Sequence, residues 1–314
     1  MSKKKPIGFN FFRPIIKQKN KDYYFSFKEV FEEIRIKYVK GRENKESGKD
    51  DDYKLVYVYN NEPARLADID IDVETQYYHL VFERLDYQVP SRTTLHGDSK
   101  ALDLDPDEYI GIDVSVLYDS VNHIFMIQRN RNSLGPTGIA LFLNTMVQDL
   151  LEKVNASFDL AIVSDNSAKT RALKQKAYRK LNFKVTGNKA KGIIEKFTKK
   201  EGVGVDSVEI IFSSSLSKKA EIESDFVKEF LEEYVDDSDV KKLKIRARED
   251  DESVIEPIDL IDHKMQTFCD FEIDNKRHLN PISVFEKMKI KYDTEEGGFK
   301  SKVLRVSEEV ESFI

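Results

Sequence analysis

A chain of 314 residues with net charge −6 has room for one large domain or two ordinary ones, at about 100–200 residues per domain. Hydrophobic residues make up 40% and charged residues 34%, and 20 Phe with 14 Tyr supply enough apolar surface to exclude wholesale disorder. No stretch reaches the roughly 18 apolar residues that cross a bilayer, so a membrane span is excluded.

The basic start, Met1 to Lys5, runs into a segment broken by Asn10, Arg13 and Pro14, which lacks the apolar run of a signal peptide. The single cysteine, Cys269, leaves no intramolecular disulfide or thiolate cage. The expected compartment is the cytoplasm.

Taken in chain order, Ile7 to Ile16 is aromatic and branched and predicts a strand. Ser26 is placed to cap a helix over Phe27 to Tyr38, where Phe27, Val30, Phe31, Ile34 and Tyr38 recur at helical spacing. Residues 41–52 contain no apolar side chain and predict a surface loop. Tyr53 to Tyr59 and Gln76 to Leu85 follow as strands. Ile110 to Tyr118 and His123 to Arg129 predict a hairpin across a short Asp119-Ser120-Val121-Asn122 link. Ser133, Gly135 and Pro136 break the pattern, and Thr137 opens a helix carrying Ile139, Leu143, Met146, Val147, Leu150, Leu151 and Val154.

The second half predicts a strand at Phe158 to Val163, and a segment at Asn166 to Thr186 with a helical start and an open end. A short basic helix follows at Lys189 to Lys199, then a Gly202-Val203-Gly204 connector and a strand at Val208 to Phe212. Further on come a helix at Lys218 to Tyr234, a strand at Val240 to Arg246, an acidic loop at Asp250 to Glu256, an ambiguous apolar run at Ile258 to Phe271 and a helix at Ile282 to Tyr292. The fold class expected is α+β: a strand-rich antiparallel unit over residues 1–154, then a mixed α/β unit over 155–314.

Charge is unevenly spread. Between Asn166 and Lys200 stand Lys169, Arg171, Lys174, Lys176, Arg179, Lys180, Lys184, Lys189, Lys191, Lys196, Lys199 and Lys200, with Glu195 as the only carboxylate. That stretch carries +11 and the remainder −17. Such a strip suits a phosphate backbone, because neutralising phosphates releases condensed counterions. The candidate nucleic-acid contacts are Lys169, Arg171, Lys174, Lys176, Arg179, Lys180, Lys184, Lys189 and Lys191, extended by Arg129 and Arg131 at the hairpin exit. Asn182, Thr186 and Asn188 are candidate phosphate partners, and Tyr178 and Phe183 candidate stacking platforms. Two other readings stay open: a solvated lysine face beside the acidic second half, and an acidic protein partner.

The familiar chemical motifs are missing. There is no P-loop, dinucleotide fingerprint, GxSxG elbow or HExxH, and His79, His96, His123, His263 and His278 fall at no ligand spacing. Neither cofactor nor metal is expected, and Cys269 reads as a small core residue. A metal-dependent nuclease is the outsider. Asp113 faces a Gln128-Arg129-Asn130 strand in which asparagine stands where such sites need lysine. Asp68, Asp70 and Asp72 share a face if they form a strand.

The strings Ile7-Gly8-Phe9-Asn10-Phe11-Phe12, Gly111 to Asp119 with Ile127-Gln128-Arg129-Asn130, and Ile258-Asp259-Leu260-Ile261 resemble a family of uncharacterised bacterial and phage-encoded proteins of about this length. A looser similarity, in size and layout only, is to the DNA-binding subunit of the Kiwa phage-defence system. These resemblances imply a nucleic-acid-binding protein in phage-host conflict, without catalysis of its own. The alternative is a regulator or inhibitor that grips a protein partner through the acidic stretches Glu221 to Asp237 and Glu249 to Glu256.

Overall fold

The computed structural model describes the chain except residues 1–2, 19–20, 50–52, 60, 151–156, 165–166, 200–203, 216–219, 236, 238, 251–254, 262–263, 274–278, 294–298 and 306–314. Parts of the expected acidic loop, the Gly202-Val203 connector, the start of the 218–234 helix and the end of the 137–154 helix lie outside the described residues.

Alternating apolar residues form the opening antiparallel pair β1 (Lys3–Gln18) and β2 (Lys21–Tyr24). Helix α1 (Lys28–Glu46) buries Val30, Phe31, Ile34 and Tyr38 at the predicted spacing. Ser26 stands one residue outside the N-cap, with its Oγ accepting from the Lys28 N–H at 3.4 Å. Residues 41–46, expected as loop, are the last turns of this helix. The reason is tertiary: Gly41 lies against the Tyr53 ring, where a Cβ would come within 2.2 Å, and packing of that kind outweighs weak helix propensity.

A meander follows, β3 (Val56–Tyr59), β4 (Glu62–Asp72), β5 (Tyr77–Asp86), β6 (Ile110–Asp119) and β7 (Ile124–Gln128), each strand antiparallel to its predecessor. The predicted hairpin is β6–β7. Next come α2 (Pro136–Leu150), β8 (Phe158–Ile162), α3 (Ala168–Leu173), β9 (Ala177–Thr186), α4 (Gly187–Thr198), β10 (Ser207–Ser213), α5 (Ser224–Tyr234), β11 (Val240–Arg248) and β12 (Glu256–Asp259). The chain closes with β13 (Gln266–Ile273), α6 (Pro281–Asp293) and α7 (Phe299–Arg305). The 166–186 segment thus splits into a short helix and a full strand, and the ambiguous 258–271 run belongs to two strands.

Among the described residues these elements pack as two units, one of residues 1–161 with 269–314 and one of residues 162–268. A division near residue 155 was expected; the structure returns the C-terminal segment to the first unit. There β13 hydrogen-bonds to β1, and α6 and α7 carry apolar side chains onto the sheet.

The first unit is a nine-stranded sheet, ordered β13-β1-β7-β6-β5-β4-β3, with β2 and β8 also on β1. One face meets α1 and α2, where Phe31 approaches Tyr118 at 5.3 Å and Phe142 approaches Phe82 at 5.3 Å. The other meets α6 and α7, where Phe11 stacks on Phe299 at 5.1 Å. Coverage on both sides explains why Tyr77 to Phe82 are all buried, polar His79 included, and why the strand reads as a nearly continuous apolar run. Among the described residues no helix is long and apolar enough to cross a membrane.

Several polar groups are buried in this sandwich, Asp119 and His79 among them. Asp119, at the end of β6, is 0% exposed. Its Oδ1 accepts from the Val121 and Asn122 N–H groups at 3.0 Å, and its Oδ2 from Asn122 Nδ2 at 2.7 Å and Tyr292 Oη at 2.9 Å. His79, 8% exposed, stacks on Phe285 of α6 at 4.5 Å, with Nε2 at 3.4 Å from Ser115 Oγ.

Candidate nucleic-acid interface

The second unit is built on a four-stranded antiparallel sheet, ordered β10-β9-β11-β12. Period-two patterning sends Leu181, Phe183 and Val185 of β9 to one side, with Leu243, Ile245 and Ala247 of β11, and a register shift between Lys180 and Tyr178 brings Tyr178 to the same side. There they form one core with Ala168 and Ala172 of α3, Ala190 of α4, and Val227 and Leu231 of α5. All three helices therefore cover the same face.

The opposite face carries the charge. Along β9 it presents Lys180, Asn182 and Lys184, and along β11 it presents Lys242, Lys244 and Arg246. The register sets Lys184 beside Lys242, Asn182 beside Lys244 and Lys180 beside Arg246. Neighbouring strands lie about 4.8 Å apart, so two of these three cross-strand pairs bring like charges together, an arrangement that costs stability. Two carboxylates offset it. Glu209 of β10 accepts from Lys242 Nζ at 2.6 Å, and Asp259 of β12 pairs with Lys244. The bond from Lys242, helped by Asn182 and the charge of Lys184, holds Glu209 below the usual carboxylate range. Lys180 and Arg246 form no ion pair among the described residues. The only large apolar side chain on β10 facing this way is Ile211, 51% exposed.

The structure divides the predicted residues. Lys180 and Lys184 stand on the open face. Lys174 and Lys176 are exposed in the link between α3 and β9. Lys169 and Arg171 belong to α3 and Lys189 and Lys191 to α4, both in the helical layer behind the sheet. Lys189 is already engaged, paired with Asp237 and lying over the Tyr234 ring at 5.3 Å. The Arg179 guanidinium donates to the Ala220 carbonyl. Arg129 and Arg131 are exposed at the end of β7 in the first unit. The expected stacking platforms are corrected: Tyr178 is 0% exposed with its hydroxyl donating to the Ala172 carbonyl, and Phe183 packs against Phe230 at 4.9 Å. Strand alternation turns Phe183 inward, and the register shift between Lys180 and Tyr178 turns Tyr178 the same way.

Sequence reasoning overlooked Lys242, Lys244 and Arg246. Their signal was present in Val-Lys-Lys-Leu-Lys-Ile-Arg-Ala-Arg, cations alternating with apolar residues from 240 to 248, but the acidic surroundings masked it in net-charge terms. The carboxylates weighed for metal chemistry have structural partners. Asp68 takes Arg42 at 2.9 Å and Asp72 takes Lys289 at 2.6 Å; Asp113 lies across the β5–β6 register from a second carboxylate, Glu83, whose own cation is Arg65. Among the described residues no group of three or more His, Cys, Asp or Glu is assembled to hold a metal ion.

These observations define an α+β protein of two units, one of which carries an open cationic sheet face. Residues 1–303 match a family of unknown function, DUF6731, and the chain belongs to that family. No curated protein matches it.

Proposed function

We propose that the second unit binds the phosphate backbone of a nucleic acid across the outer face of β9 and β11. The observation that carries this reading is the cross-strand juxtaposition of Lys184 with Lys242 and Lys180 with Arg246. A protein of net charge −6 gains nothing in stability from setting cations side by side, whereas a row of phosphates relieves their repulsion and releases counterions. The face lacks an aromatic side chain among its described residues, so recognition runs through charge and shape rather than base stacking.

The test is fluorescence anisotropy with labelled duplex and single-stranded DNA and RNA across a salt series. Reversing three charges, Lys180→Glu, Lys184→Glu and Arg246→Glu, is expected to weaken binding at least tenfold at low salt, alike for all sequences. The slope of log affinity against log salt should fall by about one per lost phosphate contact. Lys191→Glu with Lys196→Glu, on α4, is expected to change affinity less than threefold. If the triple variant binds as tightly as the parent, the reading is wrong.

A second reading is favoured by α5, whose Asp225, Glu229, Glu232 and Glu233 are exposed beside a Phe226 that is 38% exposed. That face suits a basic protein partner. A pull-down that recovers one stoichiometric protein, lost on reversing those carboxylates, would favour it.

A further inference from the structure

At the exit of β7, wholly within the first unit, lies a cavity of about 190 Å³. Its floor is made by Asn10, Phe12 and Ile127, which register puts on one face of the β1–β7 pair, and its rim by Arg129 and Arg131 with the opening of α2. Three features give it a chemical character. First, the Asn10 side chain makes no hydrogen bond: its Oδ1 is sealed from solvent without a partner, and its Nδ2 group is the amide atom left for a ligand. Side-chain amides inside folded chains are nearly always hydrogen-bonded, so an unbonded one at a cavity floor offers a donor to a ligand group or water. Second, Arg129 and Arg131 form no ion pair among the described residues, no carboxylate lines the cavity, and the first turn of α2 holds no acid. Third, the walls supplied by Phe12, Ile127 and Leu134 are apolar.

The size narrows the choice, because pockets for drug-sized ligands begin near 300 Å³. This one admits a single flat, base-sized ring system, with the rest of the ligand left at the rim, but no larger cofactor. A nucleotide offers both a base edge with acceptors for the Asn10 Nδ2 group and an anion for two guanidinium groups. A side-chain amide N–H donates to base-edge acceptors, and arginine forks match phosphate oxygens. We propose that this cavity binds one nucleotide unit, its base against Asn10 and its phosphate held by Arg129 and Arg131. The two arginines then act as a local clamp, apart from the sheet face of the second unit.

The experiment is isothermal titration of the full chain with each of the four ribonucleoside monophosphates at millimolar concentration, beside inorganic phosphate and the matching nucleosides. At least one mononucleotide is expected to bind, with phosphate alone and nucleoside alone at least tenfold weaker. Arg129→Ala with Arg131→Ala is expected to weaken the nucleotide at least tenfold, and Asn10→Ala to erase the preference among bases. The triple variant of the sheet face should bind mononucleotide unchanged, which separates this site from the proposed backbone surface. A 5′-phosphorylated strand that competes with the mononucleotide would identify the source as a strand end; one that does not would identify a free nucleotide, and either result supports the site. No binding by any mononucleotide, equal binding by phosphate alone, or full binding by a folded double-arginine variant would overturn it.

Discussion

Replacing Asp119 by alanine is expected to destabilise the first unit by about 3–5 kcal/mol, the cost of breaking up a buried charged network. The carboxylate is fully buried and takes four donors, two of them the backbone amides that shape the β6–β7 link. Removing it takes the acceptor from the Val121 and Asn122 amides and leaves the fully buried Tyr292 hydroxyl unpaired, and a buried unpaired group costs about 1–3 kcal/mol. It also strips the nearby Arg13, 9% exposed and lying over Tyr24 at 4.6 Å, of an anion that favours its charged state. Asp119→Asn, which keeps the shape and one acceptor, should lose about half as much. The chain has no tryptophan, but of its 14 tyrosines only Tyr178 and Tyr234 belong to the second unit. Near-ultraviolet circular dichroism of tyrosine in urea therefore follows the first unit. An alanine variant that unfolds within about 1 kcal/mol of the parent would show that the network is not needed for stability.

Acid should weaken the same unit through His79. Burial between β5 and α6 pushes its pKa down from 6.5 to about 4, with Lys289 adding repulsion and Asp70 opposing it. The folded state therefore holds a neutral ring while the unfolded chain takes up a proton near pH 6.5. Between those two values the unfolded state binds more protons, so stability falls as pH is lowered from 6.5 towards 4 and levels off below. The loss amounts to about 3 kcal/mol for a difference of that size. His79→Phe keeps an aromatic ring against Phe285 but cannot titrate, so its stability should run flatter than the parent's over that interval. Urea midpoints at half-unit pH steps check this, and parallel curves for the two proteins would refute it.

What was legible in the sequence is what local chemistry encodes. The β6–β7 hairpin showed because both strands alternate and a four-residue polar link joins them. The strands at 158, 208 and 240 and the helix at 282 showed because each carries its own period. Partners distant in sequence left no such mark. Nothing in residues 266–293 announces that they belong with residues 3–18, since β13 on β1 and Phe11 against Tyr292 are facts of tertiary assembly. The cationic band divides in space for a related reason. Neighbours in sequence are not neighbours in space, since a strand sends alternate residues to opposite sides. Lys180 and Lys184 thus share a face with Lys242, Lys244 and Arg246 rather than with Lys189 and Lys191. The Asn10 cavity was invisible in the sequence because an unsatisfied amide is recognised only once its surroundings are known.

The discontinuous make-up of the first unit bears on how the protein comes off the ribosome. Residues 162–268 emerge as one uninterrupted piece and can fold before synthesis ends. The nine-stranded sheet has to wait, its α6-facing side bare with Phe9, Phe11 and Tyr77 presented to water, until the stretch from 269 onward arrives to cover them. Nascent chains in that interval are natural clients for chaperones. A message truncated after codon 268 would yield a sound second unit tethered to a sticky, half-finished first one.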